Sequence, residues 1–266
     1  MLVATYSGLT PSQWLTSLEI MHMNTPRTVI ITGASSGLGF ALAEAFLERG
    51  DNVVGNARSQ ARLEQAAARL GNPSRFIGVA GDIAEPGTAQ RLFASAEQAF
   101  GGVDLLINNA GIFIAKPFAE YNEADVDALV GTNLKGFFYP AQEAARIMTR
   151  QGHGQIIAIT ASIALQPDTR VPALLPVLVK GGLNQAVKGL ALELAASGVQ
   201  VNAVAPGIID TPLHGGNTQG MGALSPSGRT GSPQDVVDAV LYLADSRFVS
   251  GVILPVDGGS TAGTWH

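Results

Sequence analysis

Short runs of β-branched and aliphatic residues alternate along the chain with longer stretches whose apolar positions recur every three or four residues. Thr28–Thr32, Asn52–Asn56, Phe76–Val79, Val103–Asn108, Gln155–Thr160, Val199–Val204 and Val252–Val256 read as strands. Their near-uniform apolarity is the pattern of strands covered on both faces. The helical period predicts Leu38–Arg49, with Ala41, Leu42, Ala45 and Phe46 on one face and Gly50 as its stop. Further helices are predicted near Arg62–Leu70, through Phe93 and Phe100, across Lys180–Ala195 and at Pro233–Asp245. A longer helical stretch runs from about Glu123 to Arg150, with breaks or kinks expected near Gly131 and Pro140. Strict strand–helix alternation with right-handed crossovers predicts one α/β domain. Its core is a doubly wound parallel sheet of about seven strands with helices on both faces.

Composition supports that picture. Of 266 residues, 46% are hydrophobic and 14% charged, enough for a sizeable core. The net charge of −5, from 16 basic and 21 acidic residues, gives no reason to expect nucleic acid. The absence of cysteine excludes disulfides, thiolate catalysis and cysteine-ligated zinc; no metal is expected, and a cytoplasmic location is. No run reaches the roughly 18 apolar residues of a membrane span. Residues 1–26 lack a secretory pattern and read as an extension to the domain of residues 27–266: a flexible or short ordered arm, or a start upstream of a natural one at Met21 or Met23. Residues 212–231, rich in Gly, Ser, Asn and Thr, read as a substrate lid, with plain disorder the alternative.

The sharpest local signal is Thr32-Gly33-Ala34-Ser35-Ser36-Gly37-Leu38-Gly39, between the first strand and the first helix. Unsatisfied N–H groups and the positive dipole end of a helix attract a pyrophosphate, and glycine lets the backbone approach it. The strand-before, helix-after context lifts this above a chance glycine triplet.

That spacing, Gly-x-x-x-Gly-x-Gly, resembles the short-chain dehydrogenase/reductase family, and other family marks follow in order. They are Asp82 after the third strand, Asn108-Asn109-Ala110-Gly111 ending the fourth, Asn133 within Thr132-Asn133-Leu134-Lys135-Gly136, Pro206-Gly207-Ile208-Ile209-Asp210-Thr211, and Val256-Asp257-Gly258-Gly259. The resemblance spans Thr28 to Gly259 and implies a Rossmann fold, a nicotinamide coenzyme, a small-molecule substrate and a homo-oligomer, dimer or tetramer. It assigns coenzyme contacts to Gly33, Ser35, Ser36, Gly37, Leu38, Gly39, Arg58, Ser59, Asp82, Ile83, Asn109, Ala110, Gly111, Lys180, Pro206, Gly207, Ile209 and Thr211. The second strand ends in Ala57-Arg58-Ser59, without the carboxylate that holds ribose hydroxyls in NAD binders. An arginine there suits the 2′-phosphate, so NADP(H) is expected ahead of NAD(H).

In the family a tyrosine passes the proton, a lysine four residues later lowers its pKa, and a serine orients the substrate oxygen. Lys180 matches that lysine, but the residue four earlier is Pro176. The remaining tyrosines, Tyr6, Tyr121, Tyr139 and Tyr242, are not near Lys180 in sequence. Ser162 is the first match for the serine and Thr160 the second; Ser162, Lys180 and Asn133 are the candidate catalytic residues. His214, a water relay through Ser162, or a substrate that needs no tyrosine remain open as proton routes. Pro176 also predicts that regular helix begins near it or kinks there. Two functions follow: an NADP(H)-dependent oxidoreductase with an altered proton route, or an NADP(H)-binding sensor, scaffold or partner without turnover.

Overall fold

The computed structural model describes residues 26–214, 218 and 220–263. The expected N-terminal arm, apart from Pro26, lies outside the described residues. Seven strands form one parallel sheet in the order β3-β2-β1-β4-β5-β6-β7. They are β1 (Thr28–Thr32), β2 (Asn52–Ala57), β3 (Phe76–Ala80), β4 (Leu105–Asn108), β5 (Gly154–Ile159), β6 (Val199–Pro206) and β7 (Ile253–Val256). The helices are α1 (Gly37–Glu48), α2 (Gln60–Arg69), α3 (Pro86–Phe100), α4 (Glu123–Leu129), α5 (Gly136–Gln151), α6 (Leu174–Leu194) and α7 (Pro233–Asp245).

Alternate strand residues feed two cores, one on each face of the sheet. Val29, Ile31, Leu105 and Ile107 meet Leu42 and Phe46 of α1 and Val236 and Val240 of α7. Ile30 and Leu106 face the other way, against Leu92 and Phe93 of α3, Phe137 of α5 and Leu183 of α6. Such double cover is why the strands show no polar face.

The long helical stretch divides as its glycine suggested. A π-helical segment, Val130–Lys135, separates α4 from α5 and contains Gly131. Pro140, by contrast, sits inside α5 without ending it. The sixth helix starts at Leu174, ahead of the Lys180 that periodicity alone gives but close to Pro176, where the proline predicts its start; Pro176 is its third residue. The first helical hydrogen bond runs from Val177 N–H to Ala173 C=O at 3.0 Å, so the missing N–H of Pro176 falls where none is needed.

Candidate active site

Strand order reverses at β1, which has β2 on one side and β4 on the other. Ligands of open α/β sheets bind at such a switch point, beyond the carboxyl ends of the strands. A cleft of about 1520 Å3 opens there. Gly33, Ser35, Ser36, Gly37 and Leu38 line it, together with Arg58, Ser59, Asp82, Ile83, Asn109, Ala110 and Gly111. Ser162, Lys180, Pro206, Gly207, Ile209 and Thr211 complete the candidate residues on its walls. Gly39 and Asn133 stand behind the surface.

The β1–α1 turn is shaped by its glycines: Gly33 and Gly37 have φ of 71° and 55°, a region that side chains with a Cβ avoid. Ser36, the N-cap of α1, places no side-chain oxygen on the first-turn N–H groups. Those donors remain at the positive end of the helix. A Cβ on Gly39 would run into the Gly33 carbonyl and the Asn109 amide, so glycine there lets the helix seat against the end of β4.

Thr32 organises the neighbouring loop. Its fully buried hydroxyl accepts the N–H groups of Asn109 and Ala110, both at 2.9 Å, and donates to Asn108 Oδ1 at 3.4 Å. Asn108 Nδ2 in turn donates to the Phe137 carbonyl at 2.9 Å, and Asn109 Nδ2 to the Thr32 carbonyl at 2.9 Å. The Asn-Asn-Ala-Gly segment is thus anchored to both β1 and α5.

At the other end, Ser59 caps α2 by accepting the Arg62 N–H at 3.4 Å. The cap brings a second exposed guanidinium, Arg62, to the wall beside Arg58. Arg62 was absent from the sequence candidates, although its place one helical turn after Arg58 was the available signal. Asp82 accepts the Ala84 N–H at 2.9 Å, turning the chain after β3.

Around β5 the side chains separate into committed and uncommitted groups. Thr160 Oγ1 donates to the Val204 carbonyl at 3.4 Å, whereas the Ser162 hydroxyl has no bond among the described residues. Asn133 gives both ends of its amide to Ile112, accepting the N–H at 2.8 Å and donating to the C=O at 2.9 Å. Its side chain holds the loop after β4 in place. Lys180 is buried and donates from Nζ to the Ile159 carbonyl at 2.8 Å. A Cβ on Gly111 would lie 3.3 Å from Lys180 Nζ and 3.2 Å from Asn133 Oδ1, so all three residues meet at one point.

Burial pushes the Lys180 amine down to about 8 from the ordinary 10.5. Between those values the unfolded chain carries a proton that the folded chain has lost, so stability rises with pH across the window. The full difference is about 3 kcal/mol, present above pH 10.5 and lost as pH falls to 8. Lys180→Met is therefore expected to be more stable than the parent at pH 7. Urea denaturation of the two proteins between pH 7 and 11 should show their curves converging as pH rises.

The remaining wall is mostly apolar, with Ile112, Phe113, Ile163, Val171, Met221 and Leu224. Asp168 and Arg170 pair at 2.6 Å, and that hydrogen bond holds the carboxyl below the usual carboxylate range. Arg170 Nη1 also donates to the Ala223 carbonyl at 3.3 Å, joining the β5–α6 loop to the segment expected to be a lid. Gln166 donates to the Gly263 carbonyl at 3.0 Å. Neither Asp168 nor Arg170 carried a sequence signal, since they lie in an irregular loop. His214 ends a 3-10 turn, Pro212–His214, and its side chain lies outside the described residues. Among the described residues no tyrosine or histidine lines the cleft. Tyr121 donates its hydroxyl to the Ile114 carbonyl at 2.7 Å, and Tyr139 and Tyr242 belong to α5 and α7.

No described helix is long and apolar enough to cross a membrane, and no described cluster of His, Cys, Asp or Glu could hold a metal ion. Residues 33–261 match the family model described as enoyl-(acyl carrier protein) reductase. The chain is 35% identical over 247 residues to L-rhamnose 1-dehydrogenase (NAD(P)(+)) of Sphingomonas sp. (strain SKA58), covering 88% of this chain and 95% of that protein. It superposes with a TM-score of 0.83 on 3-ketoacyl-(acyl-carrier-protein) reductase from Brucella melitensis complexed with NADH, at 28% identity over 88% of this chain and 98% of that one. ElxO with NADP bound gives 0.84 at 26% identity, over 90% and 100%. A glycine turn at the switch point, a lysine of α6 whose amine reaches the end of β5 and this breadth of similarity have one source: the chain belongs to the short-chain dehydrogenase/reductase family.

Proposed function

We propose that this chain is an NADP(H)-dependent oxidoreductase acting on a carbonyl/alcohol pair or a related C=X group, with a proton route other than the family's tyrosine. The observation that carries the reading is the convergence on one cleft of the β1–α1 glycine turn, two guanidiniums and the Ser162–Lys180 pair. The residues fit the coenzyme. First-turn N–H groups without a side-chain cap suit the pyrophosphate, Arg58 and Arg62 suit the 2′-phosphate, and Lys180 with the Asn109–Gly111 segment suits the nicotinamide ribose. When bound, the nicotinamide supplies or accepts the hydride. Ser162 would hold the substrate oxygen through its uncommitted hydroxyl, Asn133 positions the loop that backs the site, and Gly207, Ile209 and Thr211 are the wall residues that would lie beside the nicotinamide. The apolar wall, with Met221 and Leu224 from the described part of the proposed lid, would keep water from the reacting carbon. The dehydrogenase and ketoreductase among the relatives support the carbonyl/alcohol class.

Calorimetry with NADPH and NADH, set beside NADPH consumption on a panel of ketones, imines and activated alkenes, tests the reading. Arg58→Ala combined with Arg62→Ala is expected to weaken NADPH by about 10- to 100-fold and NADH only slightly, as loss of charge-assisted phosphate contacts dictates. Equal loss for both coenzymes would remove the case for NADP(H). Pro176 favours a second reading, coenzyme binding without turnover. Tight NADPH binding with no oxidation on any panel member would establish it. A homo-oligomer is supported by Phe138 of α5 and Leu178 and Leu192 of α6, exposed at 54%, 69% and 83%.

A further inference from the structure

We propose that Lys180 itself exchanges the proton with the substrate oxygen, as the general acid in reduction and the general base in oxidation. The inference rests on the oxidoreductase reading above and supplies the group which that reading leaves unnamed.

The described residues lining the cleft include six that ionise: Arg58, Arg62, Asp82, Asp168, Arg170 and Lys180. Arg58 and Arg62 follow β2 and Asp82 follows β3, on the far side of β1 and β4 from Ser162, which follows β5. Asp168 is held ionised by its hydrogen bond to Arg170, and the guanidinium is held charged by the same bond. Neither has a proton to exchange near neutral pH. Lys180 does. Its Nζ is bonded to the carbonyl of Ile159, the last residue of β5 and three before Ser162, so amine and hydroxyl stand at the same strand end. An ammonium has three N–H bonds. One is spent on Ile159, and no other partner is found among the described residues. Gly111 leaves the space in front of the amine open, since a Cβ there would lie 3.3 Å from Nζ. Pro176 has no hydroxyl to stand between the amine and the substrate.

The surroundings suit an amine that changes charge during a reaction. Burial alone lowers its pKa, to about 8, and no charged neighbour contributes. On the elements packed against α6, β6 and the Ser162–Ala164 turn carry no ionisable residue. The π-helical segment carries only Lys135, which is exposed. On α4, Glu123 and Asp127 are exposed and Asp125 is paired with Lys116 at 2.6 Å. On α5, Arg146 and Arg150 are exposed, Glu143 pairs with Arg146 at 2.7 Å, and Tyr139 is half-buried. In reduction the substrate carbon gains a hydride while its oxygen takes one proton from Nζ. One N–H bond breaks, one O–H bond forms, and Lys180 is left as a neutral amine that recovers its proton from water. Oxidation runs the same exchange backwards.

The test begins with the coenzyme-free protein, in which isotope-labelled lysine allows the Lys180 amine to be titrated by NMR. Lys180→Arg identifies the signal by its disappearance. An amine that titrates within about one pH unit of 8 is expected; one still charged at pH 10 overturns the proposal. On whichever panel substrate the parent turns over, kcat for reduction should fall as pH rises through the midpoint of the amine in the bound complex. Lys180→Arg keeps a cation for the ribose but cannot release a proton, so NADPH affinity should change by less than about tenfold. Its kcat should drop by about 10²–10⁴ and lose the pH dependence. Small primary amines should restore part of the rate to Lys180→Ala, in order of their basicity. A Lys180→Arg protein with kcat within threefold of the parent, or with the parent's pH profile, overturns the inference while leaving the oxidoreductase reading in place. A parent that binds NADPH and turns over nothing removes both.

Discussion

Pro176→Tyr is expected to raise ketone-reductase kcat by up to about 10²–10⁴, the usual contribution of a positioned acid–base group, and by less to the extent that Lys180 already supplies the proton. The substitution is local. Position 176 is the third residue of α6, where a backbone N–H has no helical partner, so restoring one breaks nothing. Tyrosine would place a hydroxyl one helical turn from Lys180, whose amine already lies at the end of β5. Loss of the proline ring frees the unfolded chain and lowers stability by about 0.4–1 kcal/mol, and because Pro176 is buried the larger ring costs about 1–3 kcal/mol more unless it turns into the cleft. Steady-state kinetics over the ketone panel, with NADPH affinity measured in parallel, provide the check. Intact affinity without any gain would mean that more than the hydroxyl separates this cleft from an ordinary ketone reductase.

Thr32→Val is expected to cost roughly 2–4 kcal/mol of stability, with cooperative unfolding retained. Valine matches threonine in shape but leaves the N–H groups of Asn109 and Ala110 without their acceptor; both bonds are part-buried, so each loss falls in the lower part of the range of about 1–3 kcal/mol for a buried donor. Thr32→Ser keeps the oxygen and should lose only about 1 kcal/mol, the contribution of a buried methyl group. Urea midpoints at unchanged m-value separate the two. A valine variant as stable as the serine one would show that these N–H groups find water instead. Because the same hydroxyl fixes the loop that backs the coenzyme, NADPH affinity should fall alongside stability in Thr32→Val.

Most of the fold was legible because the strands announce themselves. Val29, Ile30 and Ile31 are apolar on consecutive positions, as a strand covered on both faces requires, and the short run with Gly33 closing it favours strand over buried helix. Ends were less legible than centres. Hydrophobic period alone placed the start of α6 near Lys180, whereas Pro176 marked it to within two residues: the chain turns helical at Leu174 because a proline in a first turn is tolerated. The half of the cleft proposed for the coenzyme was readable as a cleft wall for a related reason: it is lined by backbone turns and strand ends, which glycines and Asn-Asn-Ala-Gly reveal. Asp168, Arg170 and Met221 reach the cleft from irregular segments without periodicity, and nothing in their local sequence points inward. Arg62 falls between these cases, since a helix cap decides its direction.

The rim of the cleft is bonded largely to itself. The β5–α6 loop holds the 221–224 turn through Arg170 and the C-terminal tail through Gln166, while Ser225 Oγ donates to the Asp257 carbonyl at 3.4 Å. The glycine turn and the Thr32 anchor lie on other elements and share none of these bonds. Sequence drift in the rim can therefore retune which molecules are admitted without disturbing the coenzyme cradle, making selectivity and coenzyme affinity separately evolvable traits of one small domain.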